Sequence, residues 1–147
     1  MKLLSFALAA MLAAPALAAA PTGTSIVTPG TIHWVAETSA LKGTYMATLS
    51  GDPSKAGLYV IRLKLPPGTV YAPHFHDDVE CVTVISGALW VGLGDTMTPS
   101  RMTELGPGSF MTVAAKVHHY ALIKTPTIIQ VEGLGPQTMT MVHRTKP

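Results

Sequence analysis

The stretch Gly68-Thr-Val-Tyr-Ala-Pro-His74-Phe-His76-Asp-Asp-Val-Glu80-Cys-Val-Thr-Val-Ile-Ser-Gly87 decides how the rest of the chain is read. His74 and His76 are two residues apart, so on a strand both side chains leave the same face. Asp77-Asp78 suits a tight connection. If a second strand begins near Val79, then Glu80, Val82 and Val84 share a face, and a short hairpin sets Glu80 across from both imidazoles. Two imidazoles and a carboxylate on one face are most of a first-row transition-metal site. A fourth ligand has to come from elsewhere. His118 and His119, in Lys116-Val-His-His-Tyr-Ala-Leu-Ile, are the candidates. Neighbours on a strand face opposite ways, so one of the two can point inward, and periodicity alone does not choose between them.

Outward from this stretch the chain repeats one pattern. Short runs rich in Val, Ile, Thr, Leu and Tyr cover residues 32–36, 45–49, 58–65, 69–75, 79–85, 88–93, 109–113, 120–123, 127–131 and 139–142. Turn signals separate them: Gly51-Asp52-Pro53, Pro66-Pro67-Gly68, Ser86-Gly87, Gly106-Pro107-Gly108 and Gly133-Leu134-Gly135-Pro136. About ten short strands at regular spacing predict an all-β sandwich or barrel. Helical periodicity is nearly absent; residues 95–104 are the best place for a single helical turn.

Composition narrows the function classes. The 147 residues give room for one domain. Hydrophobic residues make up 48% and charged residues 12%, which excludes intrinsic disorder. A net charge of +2 without a basic run argues against a nucleic-acid partner. A single cysteine excludes an intramolecular disulfide, and Cys81, inside an apolar run, reads as a small buried hydrophobe. The dispersed methionines do not form the clusters of a copper-transport protein.

The first residues read separately. Lys2, an almost continuous apolar stretch from Leu3 to Ala14, Pro15 and then Ala16-Leu17-Ala18 make a secretory signal peptide. Residues 1–18 are expected to be removed, residues 19–30 to form a flexible arm, and residues 31–147 to form one barrel domain. Cleavage leaves about 130 residues, enough to bury roughly two thirds of the unfolded surface. The mature protein is expected in the periplasm or secreted, with no stable membrane association.

The quoted stretch resembles the first motif of the cupin family, G-x5-H-x-H-x3-E-x6-G, with Gly68, His74, His76, Glu80 and Gly87 at every fixed position. The second motif, G-x5-P-x-G-x2-H-x3-N, is matched in part. Started at Gly108 it puts the ligand histidine at His119, while Ala114, Lys116 and Ile123 stand where the motif has Pro, Gly and Asn. The resemblance covers residues 58–133. It implies a double-stranded β-helix, or jelly-roll barrel, holding one divalent transition metal (Mn, Fe, Zn, Ni or Cu) through His74, His76, Glu80 and His119. His118 would then face outward, where it can bond a loop. The resemblance also implies a small-molecule substrate or ligand and a homodimer, with residues 22–34 reaching a partner chain.

The first functional reading is a metal-dependent enzyme of dioxygenase, lyase, decarboxylase or isomerase type. The alternative is a non-catalytic cupin that binds or senses a metal or small ligand. Gln130 and Glu132, two apart in the 127–131 run, are the candidate catalytic acid/base groups if their face looks inward. Tyr71 and Tyr120 are offset by an odd number from His74 and His119, so both are expected to face away from the site. Trp90 and Met111 are expected in the pocket wall or core, Asp77-Asp78 in a solvated turn, and His33 and His143 in structural or exposed positions.

Overall fold

The computed structural model describes residues 23–37 and 42–143. Eleven strands run through them: β1 (Val35–Ala36), β2 (Tyr45–Ser50), β3 (Gly57–Leu65), β4 (Val70–Phe75), β5 (Glu80–Ser86), β6 (Leu89–Leu93), β7 (Thr103–Leu105), β8 (Phe110–Val113), β9 (His119–Ile123), β10 (Thr127–Gly135) and β11 (Thr140–Met141). They form two antiparallel sheets, one ordered β1-β2-β3-β10-β5-β8 and the other β11-β4-β9-β6-β7. From β3 onward the chain crosses from one sheet to the other at every step except β6 to β7, as in a jelly roll. No helix among the described residues is long and apolar enough to cross a membrane.

The period of two explains the core. In β10, Ile129 and Val131 are buried, while Ile128, Gln130 and Glu132 between them are only half-buried. β10 pairs on one side with β3, setting Val131 beside Ile61, and on the other with β5, setting Val131 beside Val82. The other sheet adds Leu89, Ala121 and Ile123 to the same buried cluster. Each such aliphatic side chain contributes about 1.5–3 kcal/mol by leaving water.

Gly87, the last fixed residue of the first motif, has φ +75°, and a Cβ there would lie 2.3 Å from the Pro126 carbonyl oxygen. The β5–β6 turn can pass under β10 only with glycine at this point.

All ten predicted runs contain a strand, with shifted ends; residues 32–36 keep only Val35–Ala36. Residues 95–104 carry the expected single helical turn and, unforeseen, the start of a strand. They hold one 3-10 turn, Pro99–Arg101, and then β7, whose three residues pair with Leu89–Val91 on the edge of β6. A three-residue strand stabilised by its partner is too short to carry a period of its own. The signal peptide lies outside the described residues, as does the arm before Gly23. Residues 23–30 of the arm are exposed throughout.

Candidate metal centre

His74 lies in β4 directly opposite His119, the first residue of β9. Residues paired across a ladder share a face, so both imidazoles enter the space between the sheets. His76 follows the end of β4, and Glu80 opens β5 after residues 77–79; β4 and β5 belong to different sheets, so the expected hairpin does not form, and the turn instead carries Glu80 to the facing sheet beside the imidazoles. His74 and His119 are buried at 4% and 3% exposure. The ring centroids are 4.2 Å apart for His74–His119, 5.1 Å for His74–His76 and 5.3 Å for His76–His119. One ligand atom from each of the three histidines lies within 4.8 Å of the others, close enough for the three to hold one metal ion. A Glu80 carboxylate oxygen is 3.5 Å from Nε2 of both His76 and His119.

The far side of each ring fixes its tautomer. His74 Nδ1 donates to the Ala72 carbonyl at 2.7 Å, and His119 Nδ1 donates to the Val117 carbonyl at 3.0 Å. His76 Nδ1 donates to the Thr138 carbonyl. A carbonyl can only accept, so each Nδ1 carries its proton, and in the neutral ring Nε2 is left as a lone-pair donor. Nε2 of His76 is buried and has no hydrogen-bond partner. Two such lone pairs and a carboxylate oxygen face one another at 3.5 Å. The arrangement calls for positive charge between them, either a proton or a metal ion.

The protonation behaviour follows from this geometry. Burial drives the His74 pKa down to about 4, helped by His119 and His76 and opposed by the Ala72 carbonyl. For His119 burial also favours the neutral ring, but the Glu80 carboxylate and the Val117 carbonyl outweigh it and the pKa goes up. Burial raises Glu80, but the bond to His119 and the nearby imidazoles outweigh it and the net shift is downward. The donor set therefore favours an ionised carboxylate with imidazole nitrogens around it, which suits a divalent first-row ion.

The cluster closes one end of a cavity of about 350 Å3. Its walls are apolar, with Met46 and Leu63 from β2 and β3, Val82 and Met111 from β5 and β8 on the other side of β10, and Leu89 and Val91 from the other sheet. Glu37, Gln137 and Thr138 add polar groups at the lining.

The structure does not bring Gln130 and Glu132 to this cavity. β10 turns Ile129 and Val131 toward it, and the two polar side chains leave the opposite face. There Gln130 accepts from Arg62 Nε at 3.0 Å and donates to Glu132 at 2.7 Å. Cys81 is on that outer face as well, half-buried with Sγ 4.0 Å from the Thr112 hydroxyl, because it alternates with Glu80 and Val82. His118 points outward, bonded to Asp95 at 2.6 Å and stacked on Phe75 at 5.1 Å. Tyr120 faces away, as its offset implies; it is 1% exposed, and its hydroxyl accepts the Thr98 N–H at 3.1 Å. Met111 lines the cavity, whereas Trp90 lies under the Lys124 ammonium at 4.3 Å. Asp77 sits in an exposed turn, and His33 and His143 are exposed.

Tyr71 contradicts its expected direction. Three β4 residues from Tyr71 to His74 span two β9 residues from Ala121 to His119, so one extra residue bulges out of β4. The bulge cancels the odd offset, and Tyr71 lines the cavity with its ring 6.0 Å from that of His74. The available signal was Pro73, since proline inside a strand marks a bulge or an edge. Burial raises the Tyr71 hydroxyl pKa, with the Glu80 and Glu37 carboxylates adding to it. The group stays protonated at neutral pH.

No family model matches the sequence, and no curated protein matches it. Solved structures do match. The polyketide cyclase RemF from Streptomyces resistomycificus superposes with a TM-score of 0.67 at 18% identity, over 84% of this chain and 88% of that one. KdgF from a Halomonas species gives 0.59 at 20% identity, over 76% and 94%. An RmlC-like cupin from Shewanella frigidimarina gives 0.59 at 15% identity, over 76% and 90%. At these identities the likeness is one of architecture: two facing antiparallel sheets around a histidine-lined cavity give this chain the cupin fold.

Proposed function

We propose that this chain is an exported metal-dependent enzyme acting on a small organic molecule, with His74, His76, Glu80 and His119 holding one divalent transition metal. One observation carries the reading. Three clustered imidazoles have Nδ1 tied to backbone carbonyls, and two of them, His76 and His119, turn Nε2 toward the Glu80 carboxylate in the lining of a largely apolar cavity. When bound, such an ion acts as a Lewis acid on a substrate oxygen.

The chain's own residues do the rest. The Ala72, Val117 and Thr138 carbonyls hold the rings in one tautomer and one orientation. The Tyr71 phenol keeps its proton at the cavity wall and can donate it as a hydrogen bond or an acid. The aliphatic walls keep bulk water from the reacting atoms. Lys2, the apolar stretch after it and Ala16-Leu17-Ala18 support export. Exposed Tyr45, Leu58 and Phe110, on the sheet face away from the cavity, support a homodimer.

The test is elemental analysis of the tag-free mature protein from its own host, paired with turnover assays on loaded and chelated protein. One equivalent of a transition metal, lost in His76→Ala, is expected. No metal and none taken up on titration would overturn the proposal. Stoichiometric metal without turnover across broad substrate panels would favour a binding or sensing role. N-terminal sequencing is expected to begin at Ala19.

A further inference from the structure

Resting on the reading of the histidine cluster as a metal site, we infer that residues 138–142 are a strap that closes the mouth of the cavity and, when closed, sets His76 for the ion through Thr138. Opening the cavity and loosening one ligand are then a single event. The three rings are not held alike. His74 and His119 bond the carbonyls of Ala72 and Val117, each two residues back along the chain. His76 bonds the carbonyl of Thr138, 62 residues away. The Thr138 hydroxyl also accepts the Asp77 N–H at 3.0 Å, so one residue grips the chain at His76 twice.

The mouth lies at the same segment. Of the described residues that line the cavity, Gln137 and Met139 alone are exposed, Met139 at 53%. The root of the strap is tied where the Gln137 N–H donates to the Pro53 carbonyl at 2.7 Å. Beyond it, Thr140 and Met141 pair with Phe75 and His74 on the sheet edge, and the Val142 N–H donates to the Pro73 carbonyl at 2.9 Å. No residue from 138 to 142 is fully buried. A two-residue edge strand without a buried side chain opens locally while the core stays folded. Its opening withdraws the Thr138 carbonyl, and the His76 ring is then free to turn and to exchange its proton between nitrogens. The Ala72 and Val117 carbonyls stay in place, so the cluster is loosened at one ligand and kept at the other two.

The experiment uses the full mature chain and zinc. Thr138→Val removes the grip on Asp77 and keeps the shape, Thr138→Ser keeps the hydroxyl, and Val142→Pro removes the far bond to Pro73 without touching His76. In zinc-free protein, imidazole nitrogen NMR is expected to show His76 losing its single Nδ1–H tautomer in Thr138→Val and Val142→Pro, while His74 and His119 keep theirs. In both variants zinc affinity, from chelator competition, is expected to fall about tenfold, and stopped-flow zinc uptake to become several-fold faster. Thr138→Ser is expected to match the unaltered chain in all three. A segment that only supported the fold would weaken binding without speeding entry. A His76 tautomer that survives both variants, or zinc entry that is unchanged or slower, would overturn the inference and leave the metal reading standing; Thr138→Val decides if Val142→Pro does not fold. An unaltered chain that takes up no zinc would overturn the metal reading and this inference with it.

Discussion

Lys116 gives the sharpest test of how the backbone builds the site. Among the described residues it is the one non-glycine with positive φ, at 64°. It stands where the second cupin motif has glycine, in the turn that delivers His119. Its N–H donates to the His76 carbonyl at 2.8 Å, so the turn also ties down the chain beside a proposed ligand. A left-handed backbone costs a residue with a Cβ about 1–2 kcal/mol. The side chain offsets part of this cost. Its ammonium lies 2.5 Å from Asp77, holding that carboxyl below its ordinary pKa, and 5.1 Å over the Phe75 ring. Both partners of the ion pair are more than a third exposed, so solvent screens the pair and it offsets only a small part of the cost.

Lys116→Ala removes those contacts and keeps the Cβ. Lys116→Gly removes both. The difference between the two variants therefore isolates the backbone cost. At an ordinary position alanine is the more stable by about 0.4–1 kcal/mol, because glycine loosens the unfolded chain. At this position the order is expected to invert, with glycine ahead by roughly 0.5–1 kcal/mol. In a domain of this size that is roughly 2–4 °C in Tm. Urea unfolding of the chelator-treated variants, checked for equal slopes, measures it. Alanine equal to or more stable than glycine would refute the claim that the turn is strained. Zinc affinity is expected to be unchanged in both, since the bond to His76 uses the main chain.

Three further outcomes are expected. His118→Ala keeps stoichiometric zinc and His119→Ala loses it by elemental analysis, and the reverse would mean that the register of β9 is off by one residue. Gly92→Ala puts a Cβ 2.3 Å from the ring of the buried Tyr120 and is expected to lose about 2–3 kcal/mol in denaturant unfolding; a loss within 0.5 kcal/mol, the range of an ordinary surface change, would refute that packing. In chelator-treated protein, ring NMR is expected to show His74 titrating near pH 4 and His119 above its ordinary value of 6.5. Because the folded pKa of His74 is depressed, its contribution is fully present above pH 6.5 and is lost as pH falls toward 4, by up to about 3 kcal/mol. The raised His119 works the other way, adding stability as pH falls through its folded value, and His74 titrating near 6.5 would refute the burial argument.

The parts that could be read in advance are those where a short period and a fixed spacing act together. His74, His76 and Glu80 needed only a two-residue period and one tight turn, and the structure sets them around one point. His119 needed the cupin resemblance to choose it over His118, and the ladder from His74 to His119 agrees with that choice. What could not be read was decided by contacts outside the local chain. Gln130 and Glu132 alternate with Ile129 and Val131, so they faced the site or missed it together; buried Ile61 and Val82 beside Val131 fix the direction. Gln137 and Thr138 reach the cavity because Gln137 N–H donates to the Pro53 carbonyl at 2.7 Å, a partner remote in sequence.

Tyr71 shows how the same parity rule fails by a single residue. The rule holds only while both strands advance together, and from Tyr71 to His74 β4 advances three residues against two in β9. Pro73 has no N–H to give the ladder, so the mismatch falls at a segment already short of a hydrogen bond. The consequence is chemical as well as geometric. Without the extra residue the phenol would sit on the outer face, and the ligand end of the cavity would lose a protonated hydroxyl. With it, the wall next to His74 carries a hydrogen-bond donor whose proton is held by burial and by two carboxylates, beside rings whose own protons point away. The bulge thus separates two tasks that neighbouring strand positions would otherwise split between faces: imidazole lone pairs for a cation, and a phenol proton for whatever that cation holds.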